Sequence, residues 1–520
     1  MVHLFIDNQT IEMVEVLTRV FHRPQKDNTP LIVPDEPWEH IPYFGNHAWS
    51  LIHDSKAGLF HCWYEDMILY PEKLVGSNVD ITDPSVHRSR LCYAVSNDGL
   101  NWEKPPLGLV HEDGHDTNVV LGASPNGPEG FGCVHAAYVL DDPLESDTSR
   151  RFKMIFQHIT TAGAAGDTRV RDFGSPQILQ SPIRMAYSPD GIHWTVDDAE
   201  LDFGGLGPRL GDVMVLTCNV EREEYVLHTR HKDAWKVPLN PKLPRTAGWS
   251  LPFYPGDPTR LNTRRIWHCT SHDLINWNEP EMDFKADEIE DNLDESFYAM
   301  RSWPIGDLHL AFLTVFQSVD NVCEPHLVYS RNERTWHRTA KRAPFIPLGA
   351  PGSWDEFMTI ITSPPIPMGD ELWIYYGGSN VHHDWWQTGA REGLDVPEAK
   401  DLGLVKQGIG LARLRLNGFA SLQAGPVREG LLTTRPITKT GSQLEINAAC
   451  RNDGSIQIEL ADENDDVLAG FARNDCDTFT NDSVRHRYSW HGRSEVDTLG
   501  PIKLRIWMRN ADLYSIQWID

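Results

Sequence analysis

Three acidic residues open strand-sized apolar runs, where carboxyl groups could carry out acid–base chemistry. They are Asp212 before VMVL, Glu295 before SFYAM and Asp355 before EFMTII. Cleavage of a glycosidic bond needs a protonated carboxyl group at the leaving oxygen and a second carboxylate that attacks the sugar or activates water. A third acid can position the sugar or shift the pKa of its neighbours. These three residues are therefore our candidate catalytic groups.

Polar and aromatic residues near the starts of similar runs could hold a substrate. Tyrosine, tryptophan and histidine rings can pack against a sugar, and an arginine guanidinium can bind a carboxylate or a hydroxyl group. Adjacent side chains of a strand point to opposite faces, so only one member of each pair of neighbouring acids can face a common site. The candidate substrate-binding residues are Asn46, His47, His135, Arg230, Asp294, Tyr298, Glu356, His383 and Trp385.

Several of these residues also have structural explanations, which the sequence leaves open. Asp212 follows a glycine and could close a turn, His135 lies in an apolar run and could be a core histidine, and Arg230 could form an ion pair between sheets. The run from His382 to Trp386 contains two histidines and an aspartate, which are metal ligands, but it lacks an H-x-x-x-H spacing. We therefore predict no metal-binding residues and no cofactor, while a structural metal in the channel stays open.

A repeated phrase indicates which elements position the candidate residues. S-x-D-G-x-x-W occurs at residues 96–102 and 188–194, and degenerate copies occur at 271–277 and 330–336. Each copy follows a short apolar run, and Asp-Gly is a strong signal for a tight turn between two strands. Self-similarity of this kind is typical of folds that repeat one structural unit. The phrase therefore predicts a strand-turn-strand hairpin in each copy.

A second phrase lies upstream of each hairpin and completes a four-stranded unit. It is an aromatic-rich strand, found as GLFHCWYE, RRFKMIFQ, EEYVLHTR and DLHLAFLTVF, and a fifth copy, DELWIYYGG, precedes the strand GIGLARLRL. Four-stranded antiparallel sheets that repeat around an axis form a β-propeller with a central channel. We therefore predict five blades over residues 40–417. Residues at the starts of the innermost strands should face the channel.

The two ends of the chain differ from this repeat. After residue 417 the sequence alternates apolar and polar residues without either phrase, which predicts an antiparallel β-sandwich over residues 418–520. Residues 1–39 combine an apolar stretch with a proline-rich link, and we expect them to pack on the propeller. The predicted fold class is all-β, with a five-bladed β-propeller followed by a β-sandwich.

Composition and charge exclude several classes of function. The 520 residues carry 47 Lys+Arg and 74 Asp+Glu, a formal net charge of −27, which argues against binding nucleic acid through its phosphates. The longest apolar runs are strand-sized, so no membrane span is predicted. The first residues have neither a basic nor a long apolar stretch, so we expect no secretory leader, and none of the eight cysteines forms a C-x-x-C pair. We expect a cytoplasmic protein with reduced thiols.

The propeller and sandwich, joined by the phrase LRLNGFASLQAG, resemble the glycoside hydrolase clan of families 32, 43 and 68. The sequence is most similar to family 32-like proteins of unassigned specificity. The resemblance implies hydrolysis or transfer of a glycosyl group at carboxylates that face the channel. Family 32 carries W-M-N-D-P-N-G in its first blade, with the aspartate as nucleophile, whereas this sequence has Asn46-His47 there. The family's E-C pair is reversed, as Cys323-Glu324.

The residues and the resemblance together predict a glycoside hydrolase that acts on an oligosaccharide or glycoside. Because blade one offers no carboxylate at the place of the family 32 nucleophile, we favour two acids far enough apart to admit a water molecule. Such a pair inverts the configuration of the anomeric carbon. Two other classes stay open: a propeller that binds carbohydrate without cleaving it, and a polysaccharide lyase. The sugar, the linkage and the oligomeric state are not predicted.

Overall fold

Strands dominate the chain, as the repeated phrases predict. The computed structural model describes residues 1–74, 87–122, 133–159, 183–197, 199, 201, 203, 210–231, 264–287, 289–292, 294–317, 319–383, 385–392, 395–497 and 500–520. Strands make up 53% of the structure and helices 5%, which confirms the predicted all-β class. Valine, isoleucine and aromatic residues fill the strands because they pack well on a pleated surface.

The strands and helices are numbered in chain order. The strands of the N-terminal segment are β1 (Val2–Leu4), β2 (Ile11–Glu15), β3 (Leu17–Phe21) and β4 (Gln25–Lys26). The strands of the repeat region are β5 (Ile41–Pro42), β6 (Trp49–Asp54), β7 (Leu59–Leu69), β8 (His87–Ser96), β9 (His111–Glu112), β10 (His115–Asp116), β11 (Val119–Leu121), β12 (Cys133–Asp141), β13 (Phe152–Ile159), β14 (Ile183–Ser188), β15 (Thr195–Val196), β16 (Leu210–Asn219), β17 (Glu224–His231), β18 (Arg265–Ser271), β19 (Glu281–Phe284), β20 (Glu295–Ile305), β21 (Leu308–Gln317), β22 (Val322–Ser330), β23 (Trp336–Arg338), β24 (Met358–Ile360), β25 (Ile366–Met368), β26 (Glu371–Ser379) and β27 (Gln407–Arg415). The C-terminal strands are β28 (Ala420–Ala424), β29 (Gly430–Thr434), β30 (Gln443–Ala461), β31 (Asp482–Arg487) and β32 (Lys503–Ile519). The helices are α1 (Pro71–Leu74), α2 (Trp385–Glu392) and α3 (Pro397–Lys400).

The repeat region forms five successive groups of antiparallel strands. Group 1 contains β5 to β8 and β11, group 2 β12 to β15, group 3 β16 to β19, group 4 β20 to β23, and group 5 β24 to β27. Groups 4 and 5 belong to one nine-stranded sheet, because a parallel pairing of Cys323 with Met358 joins β22 to β24. The aromatic-rich phrase supplies β7, β13, β17, β21 and β26. Each group packs against the next, and β27 of group 5 contacts β5 of group 1. A five-bladed propeller requires contacts in this succession. That the five groups form a ring of five blades stays our interpretation.

The repeated S-x-D-G-x-x-W phrase forms a hydrogen-bonded turn. Ser96 Oγ accepts from the backbone N–H groups of Asp98 and Gly99 at 3.3 and 2.9 Å. Asp98 Oδ1 accepts from the next two N–H groups at 2.8 and 2.7 Å. Equivalent bonds recur in the copies that begin at Ser188, Ser271 and Ser330. The four copies therefore adopt the predicted turn, including the two without a glycine.

The fourth residue of the turn contacts an aromatic ring of the preceding group in two cases. Trp63 Nε1 of group 1 donates to the Gly191 carbonyl of group 2 at 2.6 Å. Tyr375 Oη of group 5 donates to the Gly99 carbonyl of group 1 at 2.9 Å. Group 5 therefore contacts group 1 in the same manner as group 1 contacts group 2, as expected if the groups are arranged in a ring.

Substitution of the turn glycine should destabilise the contact between groups 1 and 2. Gly191 has a φ of +77°, and an added Cβ would lie 2.4 Å from a ring carbon of Trp63. Gly191→Ala is therefore expected to lower the free energy of unfolding by about 2–4 kcal/mol, from left-handed strain plus overpacking. Gly114 has a φ of +86° with no atom within 4 Å. Gly114→Ala should lower the free energy of unfolding by only about 1 kcal/mol. Urea denaturation of both variants measures the difference. Equal losses would contradict a close contact between Gly191 and the Trp63 ring.

The N-terminal segment pairs with two different sheets. Strands β1, β2 and β3 pair with β32, β29 and β28, so they belong to the C-terminal sheet. Strand β4 instead adds to β27, at the edge of group 5. Asp7 also accepts hydrogen bonds from Arg331 of group 4 at 2.8 and 3.0 Å. The first residues thus connect the repeat region to the C-terminal sheet, and the predicted boundaries at 39 and 417 stay predictions.

The five C-terminal strands and the N-terminal strands β1 to β3 form one eight-stranded sheet with its own core. Its long strands β30 and β32 pair along most of their lengths, with register shifts near residues 447–448 and 450–455. Phe5, Tyr488 and Trp490 lie in the core, at 0–1% exposure. Among the described residues, no helix has the length and apolar character to cross a membrane. The seven cysteines with described side chains are all free thiols.

Candidate active site

Tyr298 occupies a bulge in the first strand of group 4. The register of β20 against β21 pairs Phe297 with Val315 and Ala299 with Thr314, so Tyr298 is the extra residue. A bulge disrupts the alternation of a strand and can aim one side chain in a new direction. The Tyr298 side chain is buried, at 3% exposure. Residues from several strand groups contact its ring.

Six side chains form the Tyr298 cluster: Asn46, His47, Arg230, Arg264, Tyr298 itself and His383. The ring centroid of His47 lies 6.0 Å away in a stacked orientation, and that of His383 lies 4.8 Å away at 69°. The guanidinium groups of Arg230 and Arg264 lie 4.2 and 4.8 Å from the ring centroid. Asn46 Nδ2 donates to Tyr298 Oη at 3.3 Å.

Four strand groups contribute to this cluster. Asn46 and His47 precede β6 of group 1, Arg230 lies on β17 and Arg264 immediately precedes β18 of group 3. Tyr298 belongs to group 4, and His383 follows β26 of group 5. Side chains that are far apart in sequence are therefore assembled at one place by the packing of the groups. This convergence makes the cluster our candidate site.

The interior of the cluster keeps His47 uncharged. His47 is 2% exposed, and its Nε2 lies 2.9 Å from Thr314 Oγ1. Burial lowers the pKa of His47 to about 3, and the charges of Arg230 and His383 add to this shift. Neutral imidazole can accept a hydrogen bond as well as donate one. His47 is thus suited to fix the orientation of its neighbours.

Acid sensitivity should decrease when His47 is replaced. Its folded pKa of about 3 lies below the ordinary value of 6.5, so the unfolded chain binds the proton first. Stability that is complete above pH 6.5 is therefore lost as the pH falls toward 3, by about 2 kcal/mol between pH 7 and pH 5. In urea denaturation at these two pH values, the drop for His47→Gln should be about 2 kcal/mol smaller than that for the wild type. An equal drop would show that His47 titrates normally.

Glu295 lies at the first position of β20, three residues before Tyr298. Its Oε1 accepts from Asn292 Nδ2 at 2.8 Å, and the residue as a whole is 8% exposed. Burial raises the pKa of Glu295, with repulsion from Asp291 as the next cause. Arg338 opposes this shift from its ion pair with Asp291, at 2.9 Å. A carboxyl group in such surroundings holds its proton more tightly than an exposed one.

Asp355 has its oxygens engaged within the protein. Oδ2 accepts from Lys26 Nζ at 2.7 Å and from Tyr376 Oη at 3.1 Å, and Oδ1 accepts from Ser353 Oγ at 2.9 Å. Its neighbour Glu356 accepts from the Gly352 N–H group at 2.7 Å. These contacts attach group 5 to the N-terminal segment. The predicted catalytic role of Asp355 stays a prediction.

Glu324 is a buried acid on β22 of group 4. Its Oε1 accepts from the Leu348 N–H group at 3.0 Å. Burial raises the pKa of Glu324, and the Leu348 N–H group and the charges of Arg23 and Lys26 oppose this. The sequence singled it out only through the reversed E-C pair. A buried acid that interacts with two basic residues is a further candidate catalytic group. Its burial depends on tertiary structure and could not be predicted from the sequence.

His135 pairs with an acid that the sequence analysis did not select. Its Nδ1 lies 2.8 Å from Glu65 Oε1, and the second oxygen of Glu65 accepts from the Ala136 N–H group at 2.9 Å. Glu65 is fully buried, and Ala136 has a left-handed φ of 52° within β12. The one available signal was a glutamate inside the apolar run HCWYEDMIL. Buried carboxylates of this kind are rare unless they are paired.

The remaining candidates have other contacts or lie outside the described side chains. Trp385 stacks on His382 with ring centroids 4.1 Å apart, and His382 is paired with Glu398. Asp294 Oδ2 accepts from the Val319 N–H group at 3.2 Å. The backbone of Asp212 belongs to β16, but its side chain lies outside the described part of the structure.

The structure therefore brings together five of the twelve sequence-selected residues and adds Arg264. The five are Asn46, His47, Arg230, Tyr298 and His383. Glu295 and Asp355 have separate partners. Arg264 was missed because no repeated phrase marks its position. Within the described residues, no three histidine, cysteine, aspartate or glutamate side chains are arranged to hold a metal ion.

Comparison with known proteins gives similarity only among solved structures. No family model and no curated protein matches the sequence. A β-1,2-mannobiose phosphorylase from Listeria innocua is 11% identical, with 75% of this chain and 96% of that chain covered and a TM-score of 0.45. The catalytic domain of a Coprinopsis cinerea GH62 α-L-arabinofuranosidase is 13% identical, with 75% and 96% covered and a TM-score of 0.41. An exo-β-1,3-galactanase from Phanerochaete chrysosporium is 9% identical, with 96% and 99% covered and a TM-score of 0.38. Structural similarity at these scores does not indicate an activity, so the function has to be inferred from the site itself.

Proposed function

We propose that the protein is a glycoside hydrolase whose substrate is held at the Tyr298 cluster. The observation that carries the proposal is the convergence of side chains from four strand groups on one buried tyrosine. Ligand sites in repeat folds are typically built where several units meet, because each unit then supplies part of the contact surface. The same proposal includes a five-bladed, family 32-like architecture, which the equivalent contacts of Trp63 and Tyr375 support.

Tyr298 serves as an anchor for polar groups in this proposal. Its ring is already packed against two guanidinium groups and two imidazole rings. Held in this way, these side chains lose little conformational entropy when a ligand binds, so their hydrogen bonds are preorganised. The hydroxyl groups and ring oxygen of a sugar are suitable partners for such donors. In this proposal the cluster binds and orients the substrate, and the catalytic acids act on its glycosidic bond.

Glu295 is the proposed general acid. It precedes Tyr298 by three residues of β20, or about 10 Å of strand, so one sugar unit can bridge the two. Burial and the nearby Asp291 raise its pKa, which favours the protonated form that the leaving oxygen requires. Asp212 stays our proposed second carboxylate. We propose inversion, which requires the two carboxyl groups to lie about 6.5–9.5 Å apart.

A panel of chromogenic glycosides and unmodified oligosaccharides tests this function. Release of reducing sugar from at least one member, with the first-formed anomer followed by proton NMR, is the expected result. Binding without turnover of every member would instead favour a carbohydrate-binding propeller. An unsaturated uronic acid product, detected by its ultraviolet absorbance, would identify a lyase. Retention of configuration would leave the hydrolase assignment intact and overturn the proposed inversion.

A further inference from the structure

An open cleft of about 680 Å³ lies where the repeat region meets the two ends of the chain. Its volume is in the range of small-molecule sites, about 300–1,000 Å³. Three parts of the chain form its walls: the segment around β4, strands β26 and β27 of group 5, and β31 of the C-terminal sheet. Eight of its ten lining residues are polar or charged, and none belongs to the Tyr298 cluster. The cleft is therefore a separate candidate binding site.

Neighbouring strands place the polar side chains of the group 5 wall on one face. Arg413 and Arg415 are two positions apart on β27, so they point the same way. Arg415 lies opposite Glu371 on β26, and Arg413 lies opposite Gln25 on β4. Directly opposed residues of an antiparallel pair share a face of the sheet. The wall thus presents guanidinium groups beside carboxylate and amide groups.

Ion pairs between the three parts of the chain orient the groups in the cleft. Three arginine–carboxylate pairs cross from one part to another: Arg413 with Asp27, Arg415 with Asp482 at 2.6 Å, and Arg485 with Asp370 at 2.8 Å. Partly exposed pairs of this kind contribute little to stability. They do hold the side chains in place before a ligand arrives, which lowers the entropy lost on binding.

The charges of the lining argue against an ionic or an apolar ligand. Four acids and two arginines line the cleft, and each of these arginines has an acidic partner. An anionic ligand would face the excess of acids. A metal cation would face the arginines, and no cluster suited to a metal ion occurs among the described residues. Leu414 and Val484 are the two apolar members, too few to hold an apolar ligand.

Hydroxyl groups match this lining best. A hydroxyl group both donates and accepts hydrogen bonds, whereas a carboxylate only accepts and a guanidinium only donates. A carboxylate has about four acceptor sites, so one that is paired with an arginine can still accept from a ligand. Neighbouring hydroxyl groups of a sugar can therefore bind a carboxylate and its arginine together without breaking the ion pair. A short neutral oligosaccharide carries several such pairs of hydroxyl groups.

We propose that this cleft is a second carbohydrate-binding site, which holds a neutral part of a long substrate away from the Tyr298 cluster. The inference rests on the proposed function for the word substrate, but binding at the cleft can be measured separately. A second attachment point raises the effective concentration of a long substrate at the catalytic site. A small glycoside that occupies one place only gains nothing from it.

Binding of neutral trisaccharides to the full chain is the direct test. The probes are maltotriose, cellotriose, mannotriose and xylotriose, followed by ligand-observed NMR. At least one should bind, and Arg413→Met should weaken this binding at least about tenfold, as expected for loss of a charge-assisted hydrogen bond. Ser483→Phe, which places a large side chain in the cleft, should weaken it as well.

Three results would overturn the inference. The first is that none of the four trisaccharides binds. The second is that a trisaccharide binds equally well to the wild type, Arg413→Met and Ser483→Phe. The third is that inorganic phosphate or Ca²⁺ binds in the cleft and no trisaccharide does, which would show that the lining selects an ion.

Arg473 provides a matched control for Arg413. The Arg473 guanidinium lies 4.6 Å from the ring centroid of Trp507, and that of Arg413 lies 5.5 Å from the ring centroid of Trp373. Both arginines are paired with an acid, and their side chains are 32% and 29% exposed. Arg473 is outside the cleft lining, so Arg473→Met should leave trisaccharide binding unchanged. Urea denaturation of both variants shows whether each stays folded.

Kinetics with long and short substrates separate this inference from the proposed function. On a soluble polysaccharide built from the sugar that binds, Arg413→Met should raise KM at least about threefold with kcat unchanged. The kcat/KM for a small chromogenic glycoside should stay the same. If trisaccharides bind in the cleft but no glycoside is cleaved, the second site stands and the hydrolase proposal fails. If glycosides are cleaved but both cleft variants keep the wild-type trisaccharide binding and polysaccharide KM, the hydrolase proposal stands and this inference fails.

Discussion

Glu295→Gln is expected to lower kcat by about 10²–10⁴-fold while the protein stays folded, because an amide cannot protonate the leaving oxygen. The glutamine has nearly the shape of the glutamic acid that it replaces, so the hydrogen bond from Asn292 can be kept. Steady-state kinetics on a substrate identified by the glycoside panel measures the loss. Circular dichroism and thermal unfolding show whether the fold is retained.

The pH profile of the wild type gives an independent reading of the same residue. A general acid must be protonated, so activity should fall as the pH rises through the raised pKa of Glu295. This alkaline limb should be absent from the residual activity of Glu295→Gln. Glu281→Gln is a suitable control, since this exposed acid on β19 forms a surface ion pair with the exposed Arg334 at 3.5 Å. Unaltered turnover in Glu295→Gln would remove Glu295 from the mechanism.

Features with local partners could be predicted from the sequence. The S-x-D-G-x-x-W turn closes through hydrogen bonds between residues two or three positions apart, such as Ser96 to Gly99. Its pattern is therefore visible in a short window, and even the copies with Leu274 and Glu333 at the glycine position adopt the turn, with φ values of 64° and 58°. The aromatic-rich strands could be predicted because each lies a regular distance before a turn. The turns and these strands together were enough to predict the all-β class.

Features with distant partners could not be predicted in this way. Asp355 binds Lys26, which is 329 positions away in the N-terminal segment, and no short pattern connects the two. Glu65 and His135 belong to different strand groups and face each other only after the groups have packed. Tyr298 was selected as a channel residue, but its central position depends on a bulge that the alternation of β20 does not reveal.

A buried ion cluster in group 1 holds the chain segment that precedes the candidate site. Arg90 is fully buried and donates to Asp66 Oδ2 from Nε and Nη2 at 3.1 and 3.0 Å, and it also binds Glu112 and the carbonyl of Trp38. The other oxygen of Asp66 accepts from the N–H groups of His40 and Ile41 at 2.9 and 3.0 Å. This cluster therefore fixes the chain segment that leads to Asn46 and His47.

Arg90→Met is expected to lower the free energy of unfolding by about 3–5 kcal/mol at pH 7, because two buried carboxylates lose their counter-charge. Burial already raises the pKa of Asp66, and the guanidinium of Arg90 opposes this. Without Arg90 the pKa should rise further above its unfolded value, so the folded variant would bind a proton first. Its stability deficit relative to the wild type should then be smaller at pH 5 than at pH 7. Urea denaturation at both pH values measures this difference.

A second substitution distinguishes loss of charge compensation from loss of packing. Adding Asp66→Asn to Arg90→Met removes one of the orphaned carboxylates, so part of the lost stability should return, whereas a packing defect would only grow. Arg493, whose partner Asp497 is 73% exposed, is the matched control, and Arg493→Met should change stability by less than about 0.5 kcal/mol. A loss below about 1 kcal/mol for Arg90→Met would mean that water solvates Asp66 and Glu112. The segment before His47 would then have to be held by its backbone contacts alone.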